Sequence, residues 1–183
     1  MKKLLSAFLI LFSFSANAEQ PVWKIIPAQS KLEFKVEQDG SVINGSFKKF
    51  DGKIIFDKAK LDKSKVAIEV DVSSIALSFA DAIGTVQSPE WLSTKAFPKA
   101  IFNAEKFSAS GKSFRANGNL TIKGKTVPTI LEFYFKDYSE KKAIAEGKLI
   151  IKRSSFGIGS SDIKKSNGVK DEVEITFEIA AEK

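Results

Sequence analysis

The side chains that could do chemistry in this sequence are carboxylates, lysines and tyrosines, because it contains neither histidine nor cysteine. This excludes a serine–histidine–aspartate triad, a cysteine nucleophile, disulfides and metal sites with imidazole or thiolate ligands. The best-spaced acid pair, Glu69 and Asp71, would lie roughly 7 Å apart on one strand face, within reach of acid–base chemistry. That face alternates with apolar residues and is the solvent-facing side, so ordinary solvation is favoured. The residues therefore predict a protein that is not an enzyme.

The positive charge of the chain does not indicate a nucleic-acid partner. The formal net charge is +7, but arginine occurs only as Arg115 and Arg153, whereas base-reading proteins depend on bidentate arginine contacts. A solvated lysine surface is the favoured interpretation, and contact with anionic membrane headgroups stays open.

Alternating apolar and polar residues run through most of the chain and predict half-buried antiparallel strands. Turn signals follow at fairly even spacing, which is typical of a sandwich or a closed barrel. The apolar sets are Leu32, Phe34, Val36; Val66, Ile68, Val70, Val72; Phe114, Ala116, Gly118, Leu120, Ile122; Val127, Thr129, Leu131, Phe133, Phe135; and Val173, Ile175, Phe177, Ile179. The turn signals are Asp39-Gly40, Asp51-Gly52, Ser110-Gly111-Lys112, Lys123-Gly124-Lys125 and Asn167-Gly168.

One stretch, from Ser74 to Phe97, interrupts this alternation and predicts a short helical excursion near residues 78–95. Ser88 is a suitable helix cap, and Pro89 suits the first helical position. We expect the excursion to plug one end of a barrel or to cover a sheet edge.

The first 18 residues are typical of a cleaved secretory signal. Lys2 and Lys3 precede an apolar run from Leu4 to Phe14, and the small-residue tripeptide Ala16-Asn17-Ala18 follows. The apolar run is shorter than the roughly 18 to 20 residues that a spanning helix needs. The expectation is a signal peptide over 1–18 and a single domain over 19–183.

The apolar strand faces combine large and small residues, and two interpretations stay open. Phenylalanines dominate these faces, while Ala116, Gly118, Ala143, Ala145 and Gly147 leave gaps. A barrel of eight strands is of the size at which side chains just fill the interior or leave room for one small ligand. The gaps therefore admit either a ligand or a phenylalanine from the opposite wall.

An ordered series of phrases resembles the YceI-like family over nearly all of the sequence after the signal. Each phrase alone is weak, but five in the same order make a specific match. They are Trp23-Lys24-Ile25-Ile26-Pro27-Ala28-Gln29-Ser30; Gly45-Ser46-Phe47 through Phe50-Asp51-Gly52 to Ile55-Phe56-Asp57; Ser88-Pro89-Glu90-Trp91-Leu92 with Phe97-Pro98; Leu120 to Thr126; and Arg153 to Gly159 followed by Val169 to Ile175.

The resemblance implies an all-β, extended eight-stranded antiparallel β-barrel, lipocalin-like, in the periplasm. It also implies a binding or carrier protein for a long isoprenoid lipid, a quinone or a polyprenyl lipid, with no covalent cofactor and no metal. Many relatives have histidine where this chain has Gln29, so a histidine-dependent contact is not expected. The closing segment resembles a subgroup found with a b-type membrane cytochrome, and a monomer or a homodimer would fit.

Strand parity then selects the expected lipid contacts. They are Phe34, Phe56, Phe102, Leu120, Leu131, Phe133, Phe135, Leu149 and Phe177, with Ala116, Gly118, Ala145 and Gly147 making room. The alternative is a filled barrel that acts as an interaction module and docks on a membrane redox protein or an envelope protein.

Overall fold

The computed structural model describes residues 20–159 and 166–183, so the predicted signal lies outside the described residues. Eleven strands and one short helix form this part of the chain. They are β1 (Val22–Ile25), β2 (Lys31–Gln38), β3 (Ser41–Phe47), β4 (Phe50–Ile55), β5 (Lys65–Asp71), β6 (Ile75–Leu77), α1 (Ile83–Gln87), β7 (Lys99–Ser110), β8 (Ser113–Ile122), β9 (Lys125–Tyr138), β10 (Lys142–Lys152) and β11 (Val169–Glu182). Within this part, no helix is long and apolar enough to cross a bilayer.

The strands form one antiparallel sheet that closes on itself. Its order is β1-β4-β5-β7-β8-β9-β10-β11-β2-β3-β6, and β11 also pairs with β1. Because β1 and β2 both pair with β11, they are two halves of one kinked strand; β3 with β4 and β5 with β6 are joined in the same way. With β7 to β11 these make eight strands, which confirms the predicted eight-stranded antiparallel barrel.

The three kinks lie side by side, and serine hydroxyls replace the backbone pairing that they interrupt. Ser30 Oγ donates to the Ile26 carbonyl at 2.8 Å and accepts from the Ala180 N–H at 3.0 Å. Ser74 Oγ accepts from the N–H groups of Lys48 and Lys49 at 3.1 and 3.0 Å. The N–H groups of Ala180, Lys48 and Lys49 thereby keep hydrogen-bond partners at the kinks.

Most of the predicted turns are present. Asp39-Gly40 and Lys123-Gly124 have positive φ at both residues, as tight hairpins require. The prediction of a turn at Asp51-Gly52 is wrong, because both residues lie inside β4. Gly52 is needed there for close strand approach, since a Cβ would lie 2.4 Å from the Ala67 carbonyl oxygen.

The barrel has two ends, which we call the top and the base. The top carries the β2–β3 and β8–β9 turns, the segment 78–98 between β6 and β7, and residues 153–159 and 166–168 between β10 and β11. The base carries the connection 56–64 between β4 and β5, the β7–β8 and β9–β10 turns, the start of β1 and the end of β11.

The helical excursion lies within the predicted residues 78–95 and covers one end of the barrel, but its helix precedes Ser88 instead of starting there. Helix α1 ends at Gln87, and Ser88 follows the helix rather than starting one. The Ser88 carbonyl accepts hydrogen bonds from the N–H groups of Trp91 and Ser93 at 3.1 and 2.8 Å. Residues 88–97 are therefore compact turns that cover part of the top.

Candidate functional site

The barrel interior contains a cavity of about 780 Å³. This volume lies within the roughly 300–1,000 Å³ typical of small-molecule sites. Its wall is apolar and comes from the inward faces of the strands, which confirms the predicted alternation in β2, β5 and β11. The interaction-module alternative expected a filled barrel, and that expectation is wrong, because the barrel encloses this cavity.

Eleven of the thirteen predicted lipid contacts line the cavity, and whether they touch a lipid stays a prediction. Gly118 and Gly147 are the two that do not. The eleven are Phe34, Phe56, Phe102, Ala116, Leu120, Leu131, Phe133, Phe135, Ala145, Leu149 and Phe177.

The two glycines make room for the protein's own atoms rather than for a ligand. A Cβ on Gly147 would lie 2.5 Å from the ring of Phe177, its cross-strand neighbour. A Cβ on Gly118 would lie 2.2 Å from the Asn103 carbonyl oxygen. The alternation of side chains along a strand assigns both glycines to the inward face. It does not show which neighbouring atoms occupy the space beside a glycine.

Aromatic rings pack together in the base of the interior and form the lower end of the cavity. Phe56, which directly follows β4, is 3% exposed and lies at the centre of this cluster. Its ring centroid lies 5.3 to 6.4 Å from those of five other rings, in edge-on or tilted arrangements that aromatic pairs favour. The five are Phe107, Phe114, Phe133, Phe135 and Tyr138.

The connection 56–64 holds Phe56 in place across the base. Trp23 Nε1 donates to the Phe56 carbonyl at 2.9 Å, and this hydrogen bond is buried. Ser64, 1% exposed, accepts from the Asp57 N–H at 3.4 Å, so the two ends of the connection meet. The same connection brings the Lys58 ammonium to 4.0 Å from the centre of the Tyr138 ring. Burial lowers the pKa of Lys58 and raises that of Tyr138.

In the part of the chain that the structure describes, most polar side chains of the cavity wall lie near the top, and Trp23 and Tyr138 are the exceptions at the base. Gln38, Asp39, Ser41, Asn167 and Arg153 contribute to the wall near the top. Asp39 and Ser41 are exposed while they line the cavity. They mark its opening, with Thr85 and the 63%-exposed Phe79 beside them.

Arg153 is the one charged side chain of the described cavity wall that is buried, at 2% exposure. Its guanidinium donates to the carbonyls of Lys170, Ile158 and Val169 at 2.9, 2.9 and 2.6 Å, and it lies 5.4 Å from the centre of the Trp91 ring. Burial lowers its pKa, and Asp171 nearby opposes that shift. These contacts tie the start of β11 to the turn after β10 and fix the top of the wall.

Sequence reasoning misses this end of the site. Phe79, Trp91 and Arg153 lie in irregular segments, where strand parity assigns no face. A signal is nevertheless present, since Arg153 is one of two arginines among many lysines and an arginine suits a site with several fixed acceptors.

The acidic residues weighed as acid–base groups lie on the outside of the barrel. Glu69 pairs with Lys99, and Asp71 accepts from the Ser73 N–H at 2.9 Å, capping the kink after β5. That bonding lowers the pKa of Asp71, with the Ser73 hydroxyl as the main cause. Among residues 20–159 and 166–183, no group of acidic side chains is placed to hold a metal ion.

Comparisons with known proteins agree with this architecture. The sequence profile of the YceI-like domain matches residues 23–181. A UPF0312 protein of Vibrio cholerae is 30% identical over 141 residues, which are 74% of this chain and 75% of that protein. A UPF0312 protein of Vibrio campbellii is 32% identical over 131 residues, 70% of this chain and 69% of the relative.

Solved structures have the same fold. BcnA of Burkholderia cenocepacia superimposes with a TM-score of 0.79 at 29% identity, over 85% of this chain and 98% of that one. A polyisoprenoid-binding domain from Saccharophagus degradans superimposes with a TM-score of 0.71 over 87% of this chain and 97% of its own. At 13% identity the second comparison shows the fold alone.

Proposed function

Because the chain belongs to the YceI-like family and encloses an apolar cavity, we propose that it binds and carries a long-chain isoprenoid lipid, a quinone or a polyprenyl lipid, in the periplasm. The observation that carries the proposal is the cavity of about 780 Å³ with an apolar wall and an opening at the top. Among solved barrels of this fold, one is a polyisoprenoid-binding domain, which supports the ligand class.

Burial of the lipid tail supplies the affinity. Each buried methylene contributes roughly 0.8 kcal/mol, so a dozen tail carbons give on the order of 10 kcal/mol before the costs of association. The entropy lost when the lipid is ordered and associates with the protein reduces this free energy by several kcal/mol. A tail of that size leaves a net affinity that suits reversible carriage and requires no covalent bond.

The distribution of polar groups gives the lipid a direction. Gln38, Asn167 and Arg153 reach the cavity at the top, while the rings around Phe56 close the base. At the base, Trp23 and Tyr138 carry the polar atoms of the described wall, and the Trp23 N–H already donates to the Phe56 carbonyl. A polar headgroup there would lose most of its hydrogen bonds to water without a replacement, which is costly. The headgroup therefore lies at the top, near the opening, and the tail points to the base.

The test is native mass spectrometry of protein purified from periplasm, followed by solvent extraction. The expected result is a stoichiometric apolar mass that fragments as a polyprenyl or quinone lipid. An empty barrel that also refuses added quinones and polyprenols would contradict the proposal. Failure to recover the protein from the periplasmic fraction would contradict the location alone.

A membrane cytochrome as partner rests only on the resemblance of the closing segment and stays a prediction.

A further inference from the structure

The wall of the barrel is one side chain thick at Tyr138. This residue, the last of β9, lines the cavity from inside and also borders a small cleft on the outer surface of the base. The other described residues of that cleft are Pro21, Asp57, Ser139, Glu140 and Lys183, none of which reaches the cavity. Removal of the Tyr138 ring would therefore join the cavity to solvent at the base.

Small side chains lead down the cavity to this ring. Ala143 and Ala145 of β10 and Ala181 of β11 all line the cavity, and Ala143 is paired with Ala181 across the strands. Ala143 is also the cross-strand partner of Tyr138. A lipid tail that passes along these three alanines meets small side chains on this side of the cavity, beside the ring of Phe135, before it reaches Tyr138.

The Tyr138 ring is held firmly enough to act as a stop. Its centroid lies 5.4 Å from that of Trp23 and 4.7 Å from that of Phe135, and the Lys58 ammonium lies against it at 4.0 Å. A second ammonium, that of Lys183, lies 4.6 Å from the Trp23 ring, so two lysines cover this aromatic pair.

We propose that Tyr138 determines the specificity of the site for chain length, by ending the cavity and setting the longest tail that the barrel encloses. The inference rests on the proposed function and deepens it. A tail longer than the cavity must leave its surplus outside the top opening or coil inside, and each methylene that stays in water loses its burial free energy. Truncation of the ring opens a second exit through which a longer tail extends.

The experiment compares wild type, Tyr138→Ala, Tyr138→Phe and Phe107→Ala by native mass spectrometry with mixtures of graded length. One mixture contains polyprenols that differ by single isoprene units, and the other contains straight-chain alcohols. Phe107 is the matched control, because its ring also lines the cavity but does not border the cleft. The centroid of its ring lies 5.8 Å from that of Phe56. The Phe variant keeps the ring and loses only the hydroxyl.

We expect wild type, Tyr138→Phe and Phe107→Ala to share one upper length, and Tyr138→Ala to bind chains beyond it at least about tenfold better than wild type. An unchanged upper length in Tyr138→Ala, or an equal extension in Phe107→Ala, would overturn the inference. If polyprenols of every length fail to bind while the straight-chain alcohols still show a longer upper length in Tyr138→Ala, only the proposed ligand would be overturned. Refusal of both series by wild type would overturn both. Should Tyr138→Ala not fold, Tyr138→Ser and Tyr138→Val provide the same opening for the same comparison.

Discussion

The base and the top of this barrel are made from the same strands but differ in how side chains pack between them. At the base, the Phe56 ring packs against five other aromatic rings, and the connection 56–64 covers them. At the top, the same inward faces leave a cavity, with polar groups near its opening and Phe79 exposed beside it. The difference leads us to expect that packing at the base contributes most to stability, whereas the opening and most polar groups of the cavity lie at the top.

The largest expected effect is the loss of packing at the base. Phe56→Ala removes the ring at the centre of the aromatic cluster, and we expect a loss of about 3–5 kcal/mol in the free energy of unfolding. Phe79→Ala, at the top, removes a ring that is 63% exposed and should change stability by about 0.5 kcal/mol or less. Chemical denaturation measures both. Equal losses would remove the distinction between the two ends.

Arg153 is a top residue whose replacement should approach that cost, because its side chain is buried. Arg153→Met leaves the Ile158 and Val169 carbonyls without their donor, and we expect a loss of about 2–4 kcal/mol. The matched control is Arg115→Met, since Arg115 is exposed and pairs with Glu132 at 2.7 Å, and it should lose about 1 kcal/mol at most. Similar unfolding midpoints for the two variants would show that the buried contacts contribute little.

Filling the cavity should impair binding more than folding. Ala145→Phe places a ring in space that the structure leaves open, and we expect at least about a tenfold loss of isoprenoid affinity with a change in unfolding free energy below about 1.5 kcal/mol. Lys148→Phe adds the same ring to an exposed position of the same strand and should leave affinity unchanged. Equal affinities for the two variants would place the ligand elsewhere.

The smallest expected effect concerns an ion cluster on the outside of the barrel. Lys136 bonds Glu146 at 2.8 Å and Glu178 at 2.7 Å, which raises the pKa of Lys136; the Lys136 and Tyr134 bonds lower that of Glu146. The Glu146 contribution to stability is therefore present above the ordinary pKa of a glutamate and is lost as pH falls through the lowered value. The Lys136 contribution is lost only as pH rises through its raised pKa.

Lys136→Met should accordingly be slightly less stable than wild type near neutral pH and no less stable in acid. Thermal unfolding across that range measures the difference, and added salt should reduce it. A gap that persists in acid would assign the effect to the lost packing of the lysine stem.

The strand faces can be predicted from sequence because side chains alternate strictly along a strand. That rule alone assigns Phe34, Phe133 and Phe177 to the inner face. It carries no information about height along the barrel, so it cannot tell that Phe133 packs in the base while Phe34 lies among the residues of β2 and β3 nearer the top.

The remaining errors have a common physical cause: the outcome depends on a neighbouring strand. The Phe177 ring occupies the space beside Gly147, and the close approach of the Ala67 carbonyl leaves no room for a side chain on Gly52 in β4. Ser74 Oγ accepts the hydrogen bonds of Lys48 and Lys49 at the kink between β3 and β4, although these residues are distant from Ser74 in sequence. Local pattern rules contain none of these partners, and they miss Arg153 because its acceptors are backbone carbonyls, which leave no mark in the residue types.

The most direct test of the account uses the two tryptophans of the chain, one at each end of the cavity. Trp23→Phe leaves Trp91 at the top as the only fluorophore of its kind, and Trp91→Phe leaves Trp23 at the base. Titration with an isoprenoid quinone, whose headgroup quenches indole fluorescence at short range, should quench Trp91 strongly and Trp23 weakly. Stronger quenching of Trp23, or none in either variant, would contradict a lipid that lies in the barrel with its headgroup at the top.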